Sequence, residues 1–209
     1  MIKTVIFDLG RVIVPFDFRR GYARLEPLCG IPAAEIPGRI SPTGLVRRFE
    51  SGQIEANPFF EQLSAHLGLD ITYEQFREIW MSIFLPDTLI TEGLLETIHN
   101  THRLVLLSNT NPIHFDGIRE RYPLMRHFDA FVLSYEVGAM KPDRLIYEKA
   151  IEAAQCEPEE CFFTDDIGEY VEGAKAMGID AVQFKSAAQI QDELRRRGVL
   201  KGELTELQA

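Results

Sequence analysis

Val5-Ile6-Phe7-Asp8-Leu9-Gly10-Arg11-Val12 sets an apolar run against a carboxylate and then a glycine. Such a run reads as a buried parallel strand, and the acid that closes it stands at the C-terminal edge, where open α/β sheets gather their chemistry. Asp8 is therefore a candidate nucleophile or metal ligand. Gly10 lets the loop turn sharply and leaves that position without a second acidic side chain.

Outward from this strand, about Lys3 to Asp8, the chain passes Pro15 and turns helical for a long stretch. Apolar spacing predicts helices at Asp17–Cys29, around Ala33–Ile40, and at Gly44–Ser51, Asn57–Leu67 and Thr72–Phe84. Asn57-Pro58 reads as a helix start, and Thr72-Tyr73-Glu74-Gln75 as a capping box. After Leu85 helix and strand alternate. A helix at Thr91–Asn100 precedes a strand at Leu104–Leu107, a helix at Ile113–Tyr122 precedes a strand at Ala130–Ser134, and a helix at Arg144–Ala154 precedes a strand at Cys161–Asp165. A helix at Tyr170–Met177, a strand at Ala181–Phe184 and a helix at Ala187–Arg197 complete the series, with a polar, loosely held tail from Lys201 to Ala209. The alternation implies an α/β fold, a Rossmann-like doubly wound parallel sheet with right-handed crossovers. Residues 1–15 and 86–209 would form its core, and residues 16–85 an inserted helical cap lying over it as a lid.

With 209 residues, 45% of them hydrophobic, the chain can bury a sizeable core. A net charge of −10 argues against nucleic acid or an anionic membrane as partner, because both require clustered Lys and Arg. Cys29, Cys156 and Cys161 show neither paired spacing nor histidine neighbours at ligand intervals, so free thiols are expected. Met1-Ile2-Lys3 leads straight into a strand, and no apolar run is long enough to cross a bilayer, so the expected location is the cytoplasm. Oligomeric state is open at this level.

Four strand ends carry chemistry-bearing residues in order: Asp8, Ser108-Asn109, Lys141 within Gly138-Ala139-Met140-Lys141-Pro142-Asp143, and Asp165-Asp166. In a parallel sheet all four reach one edge. A carboxylate attacks phosphorus only when the phosphoryl charge is neutralised, so Asp8 as nucleophile calls for a hard cation and hydrogen-bond donors. Asp166 can supply a second carboxylate for Mg²⁺, the Gly10 carbonyl a third oxygen, and Asp165 can orient a metal-bound water. Ser108 can donate its hydroxyl to a phosphate oxygen beside the Asn109 backbone N–H, and Lys141 can balance Asp8 and phosphate. Taken singly, each has a plain reading: an acidic helix cap, a Ser-Asn cap, a surface lysine. Among other residues, His114 could face the site. Trp80 and the Phe-rich positions of the insert read as core, and Arg19, Arg20, Arg47 and Arg48 as a solvated helix face.

The ordered set resembles the haloacid dehalogenase superfamily, whose four motifs are an Asp, a Ser or Thr, a Lys and an acidic pair, and whose type-one helical cap occupies the place of the present insert. Phe7-Asp8-Leu9-Gly10, Leu107-Ser108-Asn109-Thr110-Asn111 and Lys141-Pro142-Asp143 with Ile146-Tyr147 are similar to bacterial sugar-phosphate phosphatases, including an α-glucose-1-phosphate phosphatase. The resemblance implies a Mg²⁺-dependent phosphatase of a small phosphorylated metabolite, working through an aspartyl-phosphate on Asp8. Phosphatases of the superfamily mostly carry an acid two residues after the nucleophile, where Gly10 stands here. Loss of a positioned general acid removes about 10²- to 10⁴-fold from a rate. Gly10 therefore keeps two alternatives in view: a weakened phosphate-ester-binding or regulatory module, and a metal-independent 2-haloacid dehalogenase, against which the acidic pair argues. Arg11 replaces a glycine common in the motif and is a candidate phosphate or cap contact. Tyr170 stands where Asp or Asn often follows the acidic pair.

Overall fold

In the computed structural model, which describes residues 1–201, Thr4-Val5-Ile6-Phe7 forms β1 (Thr4–Phe7), fully buried and central. The tail assigned to Lys201–Ala209 lies, beyond Lys201, outside the described residues. Around β1 stand β2 (Arg103–Ser108), β3 (Ala130–Leu133), β4 (Cys161–Asp165) and β5 (Asp180–Gln183), in the order β3-β2-β1-β4-β5 with every pairing parallel. Side chains alternate across the sheet. Val5, Phe7, Leu104, Leu106 and Phe162 feed one apolar layer; Ile6, Val105, Leu107 and Phe163 feed the other. Helices α6 (Glu92–His99), α7 (Pro112–Arg121) and α11 (Ala187–Arg196) cover the first layer through Leu95, Ile98, Phe115, Ile118, Ile190 and Leu194. On the second lie α9 (Arg144–Ala154) and α10 (Gly168–Ala176), through Ile146, Tyr147, Ala150, Val171 and Ala174. Each large side chain so buried contributes roughly 1.5–3 kcal/mol, so the doubly wound sheet follows from the alternation of apolar residues. The order reverses beside β1, which places the crevice for a ligand at Asp8.

Between β1 and β2 the chain leaves the sheet. It forms α1 (Phe18–Cys29), α2 (Ile36–Ile40), α3 (Leu45–Glu50), α4 (Ala56–Leu67) and α5 (Tyr73–Met81), packed around their own cluster of Leu25, Ile36, Phe49, Phe59, Leu63 and Phe76. Phe49 and Phe59 stack with ring centroids 4.2 Å apart. The two chain passes into this helical unit run side by side: Phe16 and Phe84 form an antiparallel bridge, Asp17 N–H donates to Ile83 O at 2.9 Å, and Leu85 N–H donates to Pro15 O at 3.0 Å.

Several local expectations are corrected. The helix expected over Thr72–Phe84 ends at Met81, because Ile83-Phe84-Leu85 is drawn out to pair with the incoming strand. Its start is as read, with both capping-box bonds between Thr72 and Gln75 present. Asn57 is not a cap, since α4 already begins at Ala56. Ser134 opens a short helix, α8 (Ser134–Val137), instead of closing a strand, and β5 lies one residue earlier than expected. Cys156 and Cys161, which spacing left unrelated, bring their thiols to 3.5 Å without a disulfide.

Candidate active site

Parallel register brings the strand ends together. Phe7 pairs with Leu106 on one side and Thr164 on the other, and Asp8 N–H donates to Thr164 O at 3.0 Å, so Asp8 and Asp165 leave the sheet side by side. Lys141 enters from the segment after α8 and is almost wholly buried. Its ammonium has three protons and spends all three: on Asp8 Oδ1 at 2.6 Å, on Asp165 Oδ2 at 2.5 Å and on the Leu107 carbonyl at 3.1 Å. The sequence offered Lys141 as a counter-charge to Asp8, and the geometry extends it to Asp165. Asn109 holds the lysine's backbone on both sides, donating Nδ2–H to Lys141 O at 3.1 Å and accepting Lys141 N–H on Oδ1 at 2.8 Å. Its side chain thus positions the cation, a role beyond the backbone donor expected of it.

Two carboxylates share one ammonium here, and a third stands close. Burial raises the Asp8 carboxyl to about 7 against the pull of Lys141, with Asp165 adding to the rise. Burial works against the Lys141 ammonium, yet Asp8 and Asp165 outweigh it and hold its pKa above the ordinary value. Asp166, half-buried, is raised by burial and by Asp165, with Arg11 and Lys141 opposing. Carboxylate oxygens of Asp8, Asp165 and Asp166 lie within 4.8 Å of one another, a hard-oxygen donor set with uncompensated negative charge that fits a divalent cation such as Mg²⁺. Both oxygens of Asp165 are already engaged, Oδ2 by Lys141 and Oδ1 by the Ile167 N–H at 2.9 Å, which leaves Asp8 and Asp166 the freer ligands.

Above the strand ends lies an inner chamber of 80 Å³ walled by Leu9, Gly10, Ser108, Asn109, Glu50 and His114, among others. It adjoins an outer cavity of 120 Å³ walled by the helical unit and by His114 of α7, where Tyr22, Val46, Trp80 and Ile83 are among the lining residues; Phe18, Glu50, Ile83 and His114 border both. Ser108 is where the sequence put it, buried at the chamber wall. Arg11 is not on that wall: at φ 57° it turns outward and lays its guanidinium 4.9 Å from the Phe16 ring centroid. His114 does face the chamber, but both ring nitrogens are committed, to Asn111 Nδ2 at 3.0 Å and to Trp80 O at 3.2 Å. Trp80 is only partly core, stacking on Phe76 and on His114 and presenting a buried Nε1 with no hydrogen-bond partner among the described residues. Arg19, exposed, pairs with Asp17, while Arg47 and Arg48 are exposed as expected. Tyr170 places its ring 5.2 Å from the Lys141 ammonium, closing the cation's far side. Glu50 and Ser134 were missed altogether. No periodicity marks an acid that borders a cleft between two packed units.

The haloacid dehalogenase-like hydrolase family pattern matches residues 2–178, most of the chain. This chain belongs to that family. Two relatives that it resembles are matched along nearly their whole length. The hydrolase is 28% identical over 200 residues to a D-ribitol-5-phosphate phosphatase of Bacteroides thetaiotaomicron, covering 93% of this chain and 97% of that one. It is 25% identical to a sesquiterpene phosphatase of Aspergillus oryzae, covering 93% and 95%. A crystal structure of a family enzyme from Bacteroides thetaiotaomicron, in complex with magnesium and inorganic phosphate, superposes with a TM-score of 0.81 at 26% identity, over 89% of this chain and 96% of that one. Among the described residues no helix of the hydrolase is long and apolar enough to cross a membrane.

Proposed function

We propose that this hydrolase is a Mg²⁺-dependent phosphatase that moves the phosphoryl group of a small phosphorylated metabolite to Asp8 and then to water. The observation that carries the reading is the Lys141 ammonium bridging Asp8 and Asp165 beside Asp166, next to the chamber walled by Leu9, Gly10 and Ser108. Asp8, Asp166 and the Gly10 carbonyl would hold the cation, with Asp165 behind them. When bound it supplies charge neutralisation for the phosphoryl oxygens. Lys141 fixes Asp8 Oδ1, so attack on phosphorus comes from Oδ2 and the aspartyl-phosphate forms there. Ser108 and the adjacent Asn109 N–H donate to the equatorial oxygens as charge grows on them. Residues 16–85 act as a cap that excludes water and shapes the space for the alcohol.

A sugar or polyol phosphate is supported by the relative that acts on D-ribitol-5-phosphate. The apolar and aromatic lining of the outer cavity favours a second choice, an ester whose alcohol carries hydrocarbon surface. Phosphate release from a panel spanning sugar, polyol and prenyl phosphates decides between them. Asp8→Asn and chelation are each expected to abolish release; undiminished activity in either experiment defeats the corresponding part of the reading. Tight ester binding without release favours a non-turnover module, and metal-independent halide release from a 2-haloacid favours a dehalogenase.

A further inference from the structure

Position 10 holds glycine where its place in the motif suggests an acid, and the Phe16 ring occupies the space beside it. A Cβ on Gly10 would come within 2.8 Å of Cε1 of Phe16. That ring packs among Phe18 at 5.0 Å, Phe84 at 6.2 Å and the Arg11 guanidinium at 4.9 Å, and would have to shift. A different group therefore has to meet the leaving oxygen, or none does.

Resting on the phosphatase reading, we propose that Glu50, carried in by the helical unit, is the catalytic acid that protonates the departing alcohol and the base that then activates water. Glu50 is the last residue of α3 and borders both cavities, so it stands where the scissile ester would pass from the inner chamber to the outer one. Its carboxylate makes no hydrogen bond and no ion pair among the described residues, although its backbone is firmly held. Ser134 Oγ, on the sheet side, donates to Glu50 O at 2.5 Å and accepts the Thr110 N–H at 2.9 Å. Two residues on, Gly52 passes Tyr135 so closely that a Cβ would lie 2.1 Å from the carbonyl oxygen. The turn that carries Glu50 is thus docked on the catalytic half by contacts that admit little slack.

No other group on these walls suits the task. His114 has both nitrogens occupied, and burial lowers its pKa to about 4. Tyr22 borders only the outer cavity. Burial alone raises the Glu50 carboxyl to about 7, so both of its protonation states are accessible near neutrality.

The step balances. As Asp8 Oδ2 bonds to phosphorus and the bond from phosphorus to the ester oxygen breaks, the Glu50 proton passes to that oxygen, giving aspartyl-phosphate, free alcohol and Glu50 carboxylate. The carboxylate then takes a proton from water as the water oxygen bonds to phosphorus and the bond to Asp8 breaks. Phosphate, Asp8 carboxylate and protonated Glu50 result.

Esters of rising leaving-group pKa, namely 4-nitrophenyl, phenyl and 2-phenylethyl phosphate, test the assignment through kcat/KM, which reports transfer to Asp8. For Glu50→Gln the loss is expected to grow along the series and to reach about 10²- to 10⁴-fold for 2-phenylethyl phosphate. No loss, or an equal loss on all three with unfolding unchanged, overturns the assignment. Should the variant fail to fold, the wild-type series decides: a shallow dependence on leaving group supports an acid in place, and a steep fall shows that none acts. Asp8→Asn separates the two readings, because it must silence every ester whatever Glu50 does. Wild-type protein that releases phosphate from none of them overturns both.

Discussion

Lys141 is the residue on which the site's electrostatics turn. Its removal leaves Asp8 and Asp165 facing each other in a nearly water-free position, and breaking a buried ion pair in this way costs about 3–5 kcal/mol. Lys141→Ala is expected to lower the urea midpoint by a corresponding amount and to abolish phosphate release. Lys141→Arg should not rescue activity, since a planar guanidinium cannot reproduce three converging contacts on one nitrogen. His114 offers a second test, in the stability of the fold. Burial holds the folded pKa at about 4 against the ordinary 6.5, and the hydrogen bond from Asn111 to Nδ1 likewise requires an unprotonated acceptor. Its contribution is present in full above pH 6.5 and is lost as pH falls from there through 4. Thermal unfolding midpoints should therefore fall over that window in the wild type and fall less in His114→Gln.

At the scale of single elements, the turn after α3 is the contact most exposed to disruption. Gly52 has φ 70°, and any side chain there would strike the Tyr135 carbonyl. Gly52→Ala is expected to cost about 1–3 kcal/mol and to unseat the turn, raising KM and lowering kcat together; unchanged kinetics would show that the docking is dispensable. The same elements show what a sequence can and cannot reveal. Asp8, Ser108 and the acidic pair come together because parallel strands deliver their ends to one edge, whatever the details of packing, whereas Lys141 reaches them from the segment after α8, eight residues beyond β3. Thr72 announced a helix start because capping is a local bond. The end of that helix was not legible, since Ile79, Trp80 and Ile83 keep helical spacing while a tertiary pairing with Phe16 pulls the last of them out of the helix. Glu50 was invisible for a related reason. Its surroundings are built from α1, α5 and α7, which nothing local to Phe49-Glu50-Ser51 could specify.

For the whole molecule, three carboxylates gathered around one lysine make the metal-free protein less stable than its packing allows. A divalent cation that neutralises them should bind the folded state alone and stabilise it. Mg²⁺ at a hundredfold excess over its dissociation constant is expected to raise the unfolding midpoint by roughly 5–10 °C. Asp166→Asn should erase most of that shift, and an undiminished shift in this variant would remove Asp166 from the ligand set. The parallel sheet, its two apolar layers and the helical excursion were all readable from alternation, because periodicity reports burial over long stretches. The space between excursion and sheet was not, because it belongs to neither.

The crossing of Phe16 with Phe84 gives the chain a seam. Both passes of the excursion leave and rejoin the sheet at one place, tied by a few backbone hydrogen bonds. Closing a longer or shorter loop at such a point changes the free energy only as the logarithm of its length. The sheet is in this sense a chassis with a socket: a different head can be spliced between Pro15 and Leu85 without moving Asp8, the lysine or the acidic pair at the strand ends.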